Sequence, residues 1–364
     1  MSQTSPLSSV DTAAAPAWAR RYHAREYPAF AYTADVISFG IDPEGRLRAL
    51  MVERGEEGPF KGERAWPGGF VEQAEDRDAQ ATAIRELEEE TGVRSLRYIE
   101  PLRVYDENGR DPRQYAFRED ESGGPRQVGA RVISSGFLVL LSLSEDRIRP
   151  KAGGDAGDAF LAKAYDHLPW EDQRSPVGQG LRTSLVRILR AWAGRDQGRL
   201  SRIGWAWGWA EDDWNEERVR DRYDLLMEAG LVLEAHRNLW GVASQGSEDR
   251  GQAMAFDHRG MLADGLGRLR GKIKYVPATL QALLPGLFSM SHIHESVETI
   301  LGRPVVRRNF RRALTDIHGL LEETALRGEP GRGGGPPPRL YRFLDGVRLM
   351  RLDPSIRIPF APLK

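Results

Sequence analysis

The feature that most constrains this chain is the run Arg85-Glu86-Leu87-Glu88-Glu89-Glu90, followed by Thr91-Gly92-Val93. Residues 86, 89 and 90 stand at i, i+3 and i+4, so a helix projects their carboxylates from one face. Like charges this close repel. The bare cluster leaves two readings open, a solvated acidic face or a site for a hard cation. Mg²⁺ takes oxygen ligands, keeps several waters and binds through a few carboxylates plus substrate phosphate. Arg85 lies one turn before Glu89 and is placed to orient that carboxylate. The helix is expected from Asp78 to Thr91, with Ala79, Ala83 and Leu87 repeating every four residues and Gly92 as its stop. Upstream, Pro67-Gly68-Gly69 predicts a tight turn whose glycines let backbone approach a phosphate or metal.

Composition narrows the chemistry. The 364 residues contain no cysteine, which excludes disulfides, thiolate metal sites and a cysteine nucleophile. Hydrophobic residues make up 40% and charged residues 29%, enough for a core, and the length suggests two or three domains. The longest apolar run, Val132 to Leu143, is too short to span a bilayer, and Met1 to Pro16 has no signal-peptide pattern. A soluble cytoplasmic protein with no membrane partner is expected. The net charge of −1 hides an asymmetry: residues 268–364 hold 17 basic against 8 acidic side chains. A basic C-terminal domain on an acidic body suggests two tasks, one of them on a polyanion.

Residues 1–27 read as a flexible tail. Strands are expected at Tyr32 to Phe39, Leu47 to Val52, Tyr98 to Tyr105 and Arg131 to Leu143, with a polar loop from Asp106 to Gly129. Seven of the nine tryptophans lie in 170–250, which is expected to be a mainly helical insertion. Its helices are placed at Thr183 to Ala193, Leu200 to Trp209 and Glu216 to Ala229. A hairpin is expected from Leu231 to Ala235 and Leu239 to Ala243. The segment holds 12 basic and 14 acidic residues, which favours packing or partner contact over DNA reading. Trp205, Trp207 and Trp209 are two apart and cannot share one helix face. A further helix is expected from Arg259 to Ile273, buried through Met261, Leu262, Leu266 and Leu269.

In the basic domain, Pro304 is read as the first residue of a helix with Val306, Phe310, Leu314 and Ile317 buried. Arg307, Arg308, Arg311 and Arg312 take the opposite side, with Asn309 between. A hairpin from Leu320 to Thr324 and Arg339 to Phe343 follows. That order is a recognition helix and a wing, a pattern that places arginines on phosphates and guanine edges of double-stranded DNA.

Gly69, Glu75 and Arg85 through Val93 resemble the Nudix box, a glycine, a glutamate, then R-E-apolar-x-E-E-x-G-apolar. Nine residues separate Glu75 from Arg85 where the family has seven, so the resemblance bears less on Glu75. It implies an α/β class fold: a Nudix α/β/α sandwich, here with a helical insertion, plus the C-terminal winged helix-turn-helix. It also implies Mg²⁺ (or Mn²⁺) on Glu86, Glu89 and Glu90, with Arg85 in the catalytic set. Tyr27 to Asp35, Gly109-Arg110-Asp111-Pro112-Arg113 and Ala255-Phe256-Asp257-His258 resemble the ADP-ribose-type Nudix proteins of NAD metabolism. Ligand-binding residues are then expected at Gly68, Gly69, Arg110, Asp111, Arg113 and His258.

The string Asn309-Phe310-Arg311-Arg312, with its Gly- and Pro-rich wing and Arg339-Leu340-Tyr341-Arg342-Phe343, resembles the Nudix-related transcriptional regulators of NAD biosynthesis. That resemblance implies a homodimer that senses ADP-ribose or a related nucleotide and binds operator DNA through Arg307, Arg308, Asn309, Arg311, Arg312 and Arg339. It divides the chain into a Nudix domain (28–169 and 251–274), the insertion (170–250) and a winged-helix domain (275–364). The alternative is an active ADP-ribose or nucleoside-diphosphate-X pyrophosphatase whose C-terminal domain serves dimerisation.

Overall fold

The computed structural model describes residues 29–55, 58–119, 124–143, 156–209, 213–244, 250–315, 317, 319–329 and 336–344. The expected N-terminal tail lies outside them, as do parts of the loop after Phe117 and of the wing.

A mixed sheet carries the N-terminal half. Its strands are β1 (Ala31–Ile41), β2 (Leu47–Arg54), β3 (Arg64–Ala65), β4 (Gly68–Phe70), β5 (Tyr98–Tyr105), β8 (Val132–Leu141) and β9 (Ala156–Lys163). The order is β3-β2-β1-β8-β5, with β4 on β1 and β9 on β2. β1 and β8 run parallel in register from Ala31 against Val132 to Gly40 against Leu141, and the other pairs are antiparallel. The loop after β5 holds a 3₁₀ turn (Pro112–Tyr115) and a small hairpin of β6 (Phe117–Glu119) and β7 (Pro125–Gln127).

Alternation along β1 sends side chains to two cores. Ala34 and Val36 pack with Leu50, Val139, Ala83 and Leu87 under helix α1 (Ala79–Thr91). Ile37 and Phe39 pack on the opposite face with Leu262, Leu266 and Leu269 of α6 (His258–Lys272). The sheet is therefore covered on both sides, as expected of an α/β/α sandwich.

The short helix α2 (Ala164–His167) leads to α3 (Pro176–Ala193), α4 (Gln197–Trp207) and α5 (Val219–Glu228). Trp170, Leu185, Trp207 and Leu226 join the same core as α6, so this segment shares that core. Within α4 Trp207 is buried and Trp205 exposed, as a spacing of two on a helix allows; the helix expected to reach Trp209 ends at Trp207, where Gly208 turns the chain with φ of 75°, and Trp209 beyond it is exposed. The hairpin expected at 231–243 does not form. Leu233–His236 is a 3₁₀ turn, and one isolated bridge joins Arg237 to Ala243. The reason is local. The Asn238 carboxamide oxygen accepts from the N–H groups of Trp240 and Val242, which closes a tight loop instead of a ladder.

The C-terminal domain comprises α7 (Pro277–Leu283), β10 (Phe288–Ser289), α8 (Met290–Leu301), α9 (Arg307–Thr315), β11 (Leu321–Arg327) and β12 (Arg339–Phe343), with strand order β10-β12-β11. This is a winged helix. The expected start of α9 at Pro304 is corrected to Arg307. Val305 donates its backbone N–H to Glu298 Oε1 at 2.7 Å and is tied back to α8, so the chain turns helical only afterwards. Among the described residues no helix is long and apolar enough to cross a membrane.

Candidate functional site

The Nudix-box helix meets the glycine turn at the end of the sheet. Asp78 caps α1 by accepting from the Ala81 N–H at 2.9 Å, and Gly92 ends it in a left-handed conformation. Antiparallel pairing sets Asp35 opposite Gly68 and Ala34 opposite Gly69. The Gly68 N–H donates to Glu90 Oε2 at 3.0 Å. Glu86 lies so close over Gly69 that a Cβ there would overlap its carboxylate. A side chain at 69 would have to push that carboxylate aside, whereas a Cβ at Gly68 would overlap the Ala34 carbonyl of the backbone.

These groups open on a cavity of about 440 Å³ lined by Asp35, Arg54, Gly68, Gly69, Glu86, Glu90, Arg110, Asp111, Arg113, Phe256 and His258, among others. All six expected ligand-binding residues line it. Of the expected metal ligands, Glu86 and Glu90 do so. Glu89 stands outside, its side chain 56% exposed and paired with Arg85 Nη1 at 3.3 Å. Arg85 itself does not line the cavity. It donates to Asp76 Oδ1 (3.0 Å) and Oδ2 (2.8 Å), to Glu86 (2.8 Å) and to the Phe70 carbonyl (3.1 Å). It positions carboxylates. Glu75 is exposed, and the carboxylate gripped by Arg85 belongs to the next residue, Asp76.

Burial disfavours charge in the cavity. It raises the Glu86 carboxyl against the pull of Arg85, and pushes Glu90 up to about 8 although the Gly68 N–H opposes the shift. Asp35 is raised by burial while Arg110 and a short hydrogen bond from Ser134 oppose. His258 is driven down to about 3 by burial and is neutral. Its Nδ1 accepts the Trp66 N–H at 3.0 Å, and its carbonyl accepts from Trp66 Nε1 at 2.9 Å. The ring proton therefore sits on Nε2, 3.7 Å from Asp35 Oδ1.

The cationic wall is largely pre-paired. Arg110 grips Asp257 with two hydrogen bonds of 2.9 and 2.8 Å, and Arg113 closes on Asp111. The Arg113 guanidinium also lies 4.9 Å from the Phe70 ring centroid and 5.3 Å from that of Phe256. Phe256 has φ of 51°, a left-handed conformation unusual for an aromatic residue. Arg54 differs: its Nε is buried without a hydrogen-bond partner among the described residues. A buried donor left free beside paired arginines is a place for an anionic oxygen.

Among the described residues no group of three His, Asp or Glu side chains stands in ligating geometry. Glu86 and Glu90 supply two desolvated carboxylates over a glycine floor. That donor set fits one hard divalent cation completed by water and ligand phosphate oxygens, not a closed protein cage.

Sequence reasoning missed Asp35, Arg54, Trp66, Asp76, Ser134 and Asp257. Asp35 and Asp257 stood inside quoted stretches without being singled out, and Trp66 stood beside the glycine turn. Ser134 had no local signal, because strand pairing joins it to Asp35.

On the C-terminal domain, Phe310 and Leu314 are buried while Arg307, Arg308, Asn309, Arg311 and Arg312 are exposed on α9. Arg307 lies 3.5 Å from Glu295, and Arg339 on β12 is paired with Glu323.

A family model described as NUDIX domain matches residues 31–156, and one described as NrtR DNA-binding winged helix domain matches 281–343. The chain is 22% identical over 334 residues to the ADPR responsive transcriptional repressor NtrR of Acinetobacter baylyi, covering 92% of this chain and 90% of the relative. It is 32% identical over 127 residues to the ADP-ribose pyrophosphatase of Methanocaldococcus jannaschii, covering 33% of this chain and 69% of that enzyme. Among solved structures, Shewanella oneidensis NrtR complexed with a 27mer DNA superposes with a TM-score of 0.52 at 20% identity, covering 88% of this chain and 97% of that one. The last likeness is one of fold.

Proposed function

Because the chain belongs to the Nudix family and carries a winged helix matching the NrtR type, we propose that it is a nucleotide-responsive, DNA-binding transcriptional repressor. The metabolite is ADP-ribose or a close relative. One observation carries the reading: a single chain joins a cavity lined by Arg54, Arg110, Arg113, Glu86 and Glu90 to an exposed arginine face on α9. The similarity to a repressor described as ADPR responsive, over most of both chains, supports it.

In the cavity, the free Arg54 donor and the Arg110 and Arg113 guanidinium groups would meet the pyrophosphate. Glu86 and Glu90 would hold Mg²⁺ or Mn²⁺, with Arg85 fixing Glu86 from behind. When bound, the cation neutralises phosphate charge and relieves the repulsion between the two carboxylates. His258 stays neutral and offers its Nε2–H toward Asp35 at the cavity floor. On the other domain, Arg308, Arg311 and Arg312 would reach DNA phosphates or base edges from the major groove, with Arg307, Asn309 and Arg339 alongside.

A homodimer is part of the reading, since winged-helix regulators pair their own two-fold axis with a palindromic site. So is a cytoplasmic setting, where the DNA is. The nucleotide must bind the DNA-competent and the released arrangements unequally, because equal affinity shifts nothing.

The second reading, pyrophosphate hydrolysis, is favoured by the turning of Glu86 and Glu90 into the same cavity. Glu89, directed outward onto Arg85, separates it from the expected three-glutamate set. The deciding experiment selects bound fragments from a random DNA pool with the full-length protein, then titrates ADP-ribose with Mg²⁺. Recovery of one palindromic class, with affinity altered by ADP-ribose, is expected. No enrichment of any sequence would overturn the repressor reading, and AMP release would then favour the hydrolase.

A further inference from the structure

The link between α8 and α9 is short, residues 302–306, and the exposed Arg307, Arg308, Asn309 and Arg311 follow it at once. Within that link Val305 is buried, and both of its backbone polar groups are taken by side chains of α8. Its N–H donates to Glu298 Oε1 at 2.7 Å, and its carbonyl accepts from His294 Nε2 at 2.9 Å. His294 and Glu298 stand at i and i+4, so they project from one face of α8 as the two prongs of a clamp. Helical bonding of α9 opens one residue beyond Val305, with the Phe310 N–H on the Val306 carbonyl at 2.9 Å.

His294 holds α9 in two ways. A carbonyl can only accept, so the ring proton sits on Nε2 and is spent on Val305. Nδ1 is buried, 3.6 Å from Glu298 Oε2, and has no hydrogen-bond partner among the described residues. The bond to Val305 is therefore the ring's one hydrogen bond among those residues. The same ring also stands edge-on to Phe310 in the first turn of α9, with centroids 5.4 Å apart at 68°. By contrast, the Arg307–Glu295 pair spans 3.5 Å between side chains that are both exposed, and a pair of that kind holds little. The direction of α9 relative to α8 thus depends on the buried clamp.

We propose that His294 is a positioning residue of the DNA interface: with Glu298 it sets the angle at which α9 enters the major groove. The assignment rests on the repressor reading and deepens it. Its consequence is separable from plain affinity. Phosphate contacts tolerate a tilted helix, because long arginine side chains swing to meet them, whereas base edges are read only from a correctly placed first turn. Loss of the clamp therefore costs discrimination between sequences, not attraction to DNA in general.

The test uses the full-length protein and two duplexes of equal length, one carrying the sequence class recovered from the random pool and one scrambled. Fluorescence anisotropy across a salt series gives the affinity of wild type, His294→Phe, His294→Gln and Glu298→Ala for each. His294→Phe keeps a ring against Phe310 and removes the donor, and His294→Gln restores an N–H. Glu298→Ala frees the Val305 N–H from a half-buried position and decides the matter if circular dichroism shows His294→Phe unfolded. Expected is a fall of about tenfold in the preference for the recovered sequence in His294→Phe and in Glu298→Ala, the scale of one base contact. Affinity for the scrambled duplex and the salt slope should stay as in wild type, and His294→Gln should regain most of the preference. A preference kept in both His294→Phe and Glu298→Ala would overturn the assignment. So would an equal loss on the two duplexes, which marks a purely structural role, or a His294→Gln preference no better than that of His294→Phe. Wild type without preference for any sequence would overturn the repressor reading and this assignment with it.

Discussion

Arg85 and Asp76 face each other fork to fork, with Nε on Oδ1 at 3.0 Å and Nη2 on Oδ2 at 2.8 Å. The arginine beside it holds the Asp76 carboxyl well below the usual carboxylate range. The same guanidinium touches Glu86, Glu89 and the Phe70 carbonyl, so it ties the loop before α1 to the acidic face and to β4. Asp76→Asn is expected to cost about 2–4 kcal/mol, the range for breaking one partner of a largely buried pair. Glu75→Gln, on an exposed side chain, should stay within about 0.5 kcal/mol. Urea unfolding of both variants checks the contrast; equal losses would return the role to Glu75.

Glu171 is fully buried between Arg222 and Arg270, with oxygens 2.6–2.8 Å from their guanidinium nitrogens. Arg270 also donates to the Ile300 carbonyl on α8, which links the sheet-covering helix to the winged helix. Glu171→Gln leaves two buried guanidinium groups short of a counter-charge. A loss of about 3–5 kcal/mol is expected, read as a lowered Tm. A Tm within a degree of wild type would show that the triad carries little.

The contribution of His258 to stability should fall as pH drops through the titration range of histidine, against Glu90, whose carboxyl is raised to about 8 and contributes with the opposite sign between about pH 8 and its unfolded value. Burial lowers the folded-state pKa of His258 to about 3, while the unfolded value is near 6.5. The unfolded chain therefore takes up a proton below pH 6.5 that the folded chain refuses. That contribution is full above pH 6.5 and erodes by about 1.4 kcal/mol per pH unit toward pH 3. Asp35, raised by burial, acts with the opposite sign nearer its own titration. The difference between wild type and His258→Gln in urea midpoint from pH 7 to pH 5 isolates the histidine. Parallel pH profiles would sink the assignment.

Gly302 ends α8 with φ of 65° and sits against the Glu171 carbonyl, where a Cβ would overlap backbone. Gly302→Ala therefore meets both a strained conformation and a clash that no side chain can relieve. A loss above about 1 kcal/mol is expected, whereas Gly180→Ala, in open space within α3, should be neutral or stabilising. Thermal melts of the two variants decide it.

On DNA, Arg308→Ala and Arg311→Ala are each expected to weaken binding and to lower the salt slope by about one unit. Arg339→Ala should cost less, because Arg339 already has Glu323 as a partner and must leave it to reach a phosphate. Unchanged salt slopes in all three would remove α9 and the wing from the interface.

What the chain declared by itself was local and periodic. The i, i+3, i+4 acidic set, the glycine turn, the alternating strands and the two-faced α9 all follow from spacings inside one element. Those spacings survive because backbone geometry repeats every 3.6 or 2 residues whatever surrounds it. That Trp205 and Trp207 cannot share one helix face was legible for the same reason, and Trp207 is the buried one. What required the tertiary structure was which side chains meet across long separations. Asp35 reaches Ser134 through parallel strand pairing, and Trp66 reaches His258 across 192 positions. The choice of Asp76 over Glu75 and the outward turn of Glu89 were decided the same way. Loop path and packing select among chemically equivalent neighbours, and no spacing rule distinguishes two adjacent acids until the chain between them and Arg85 has folded.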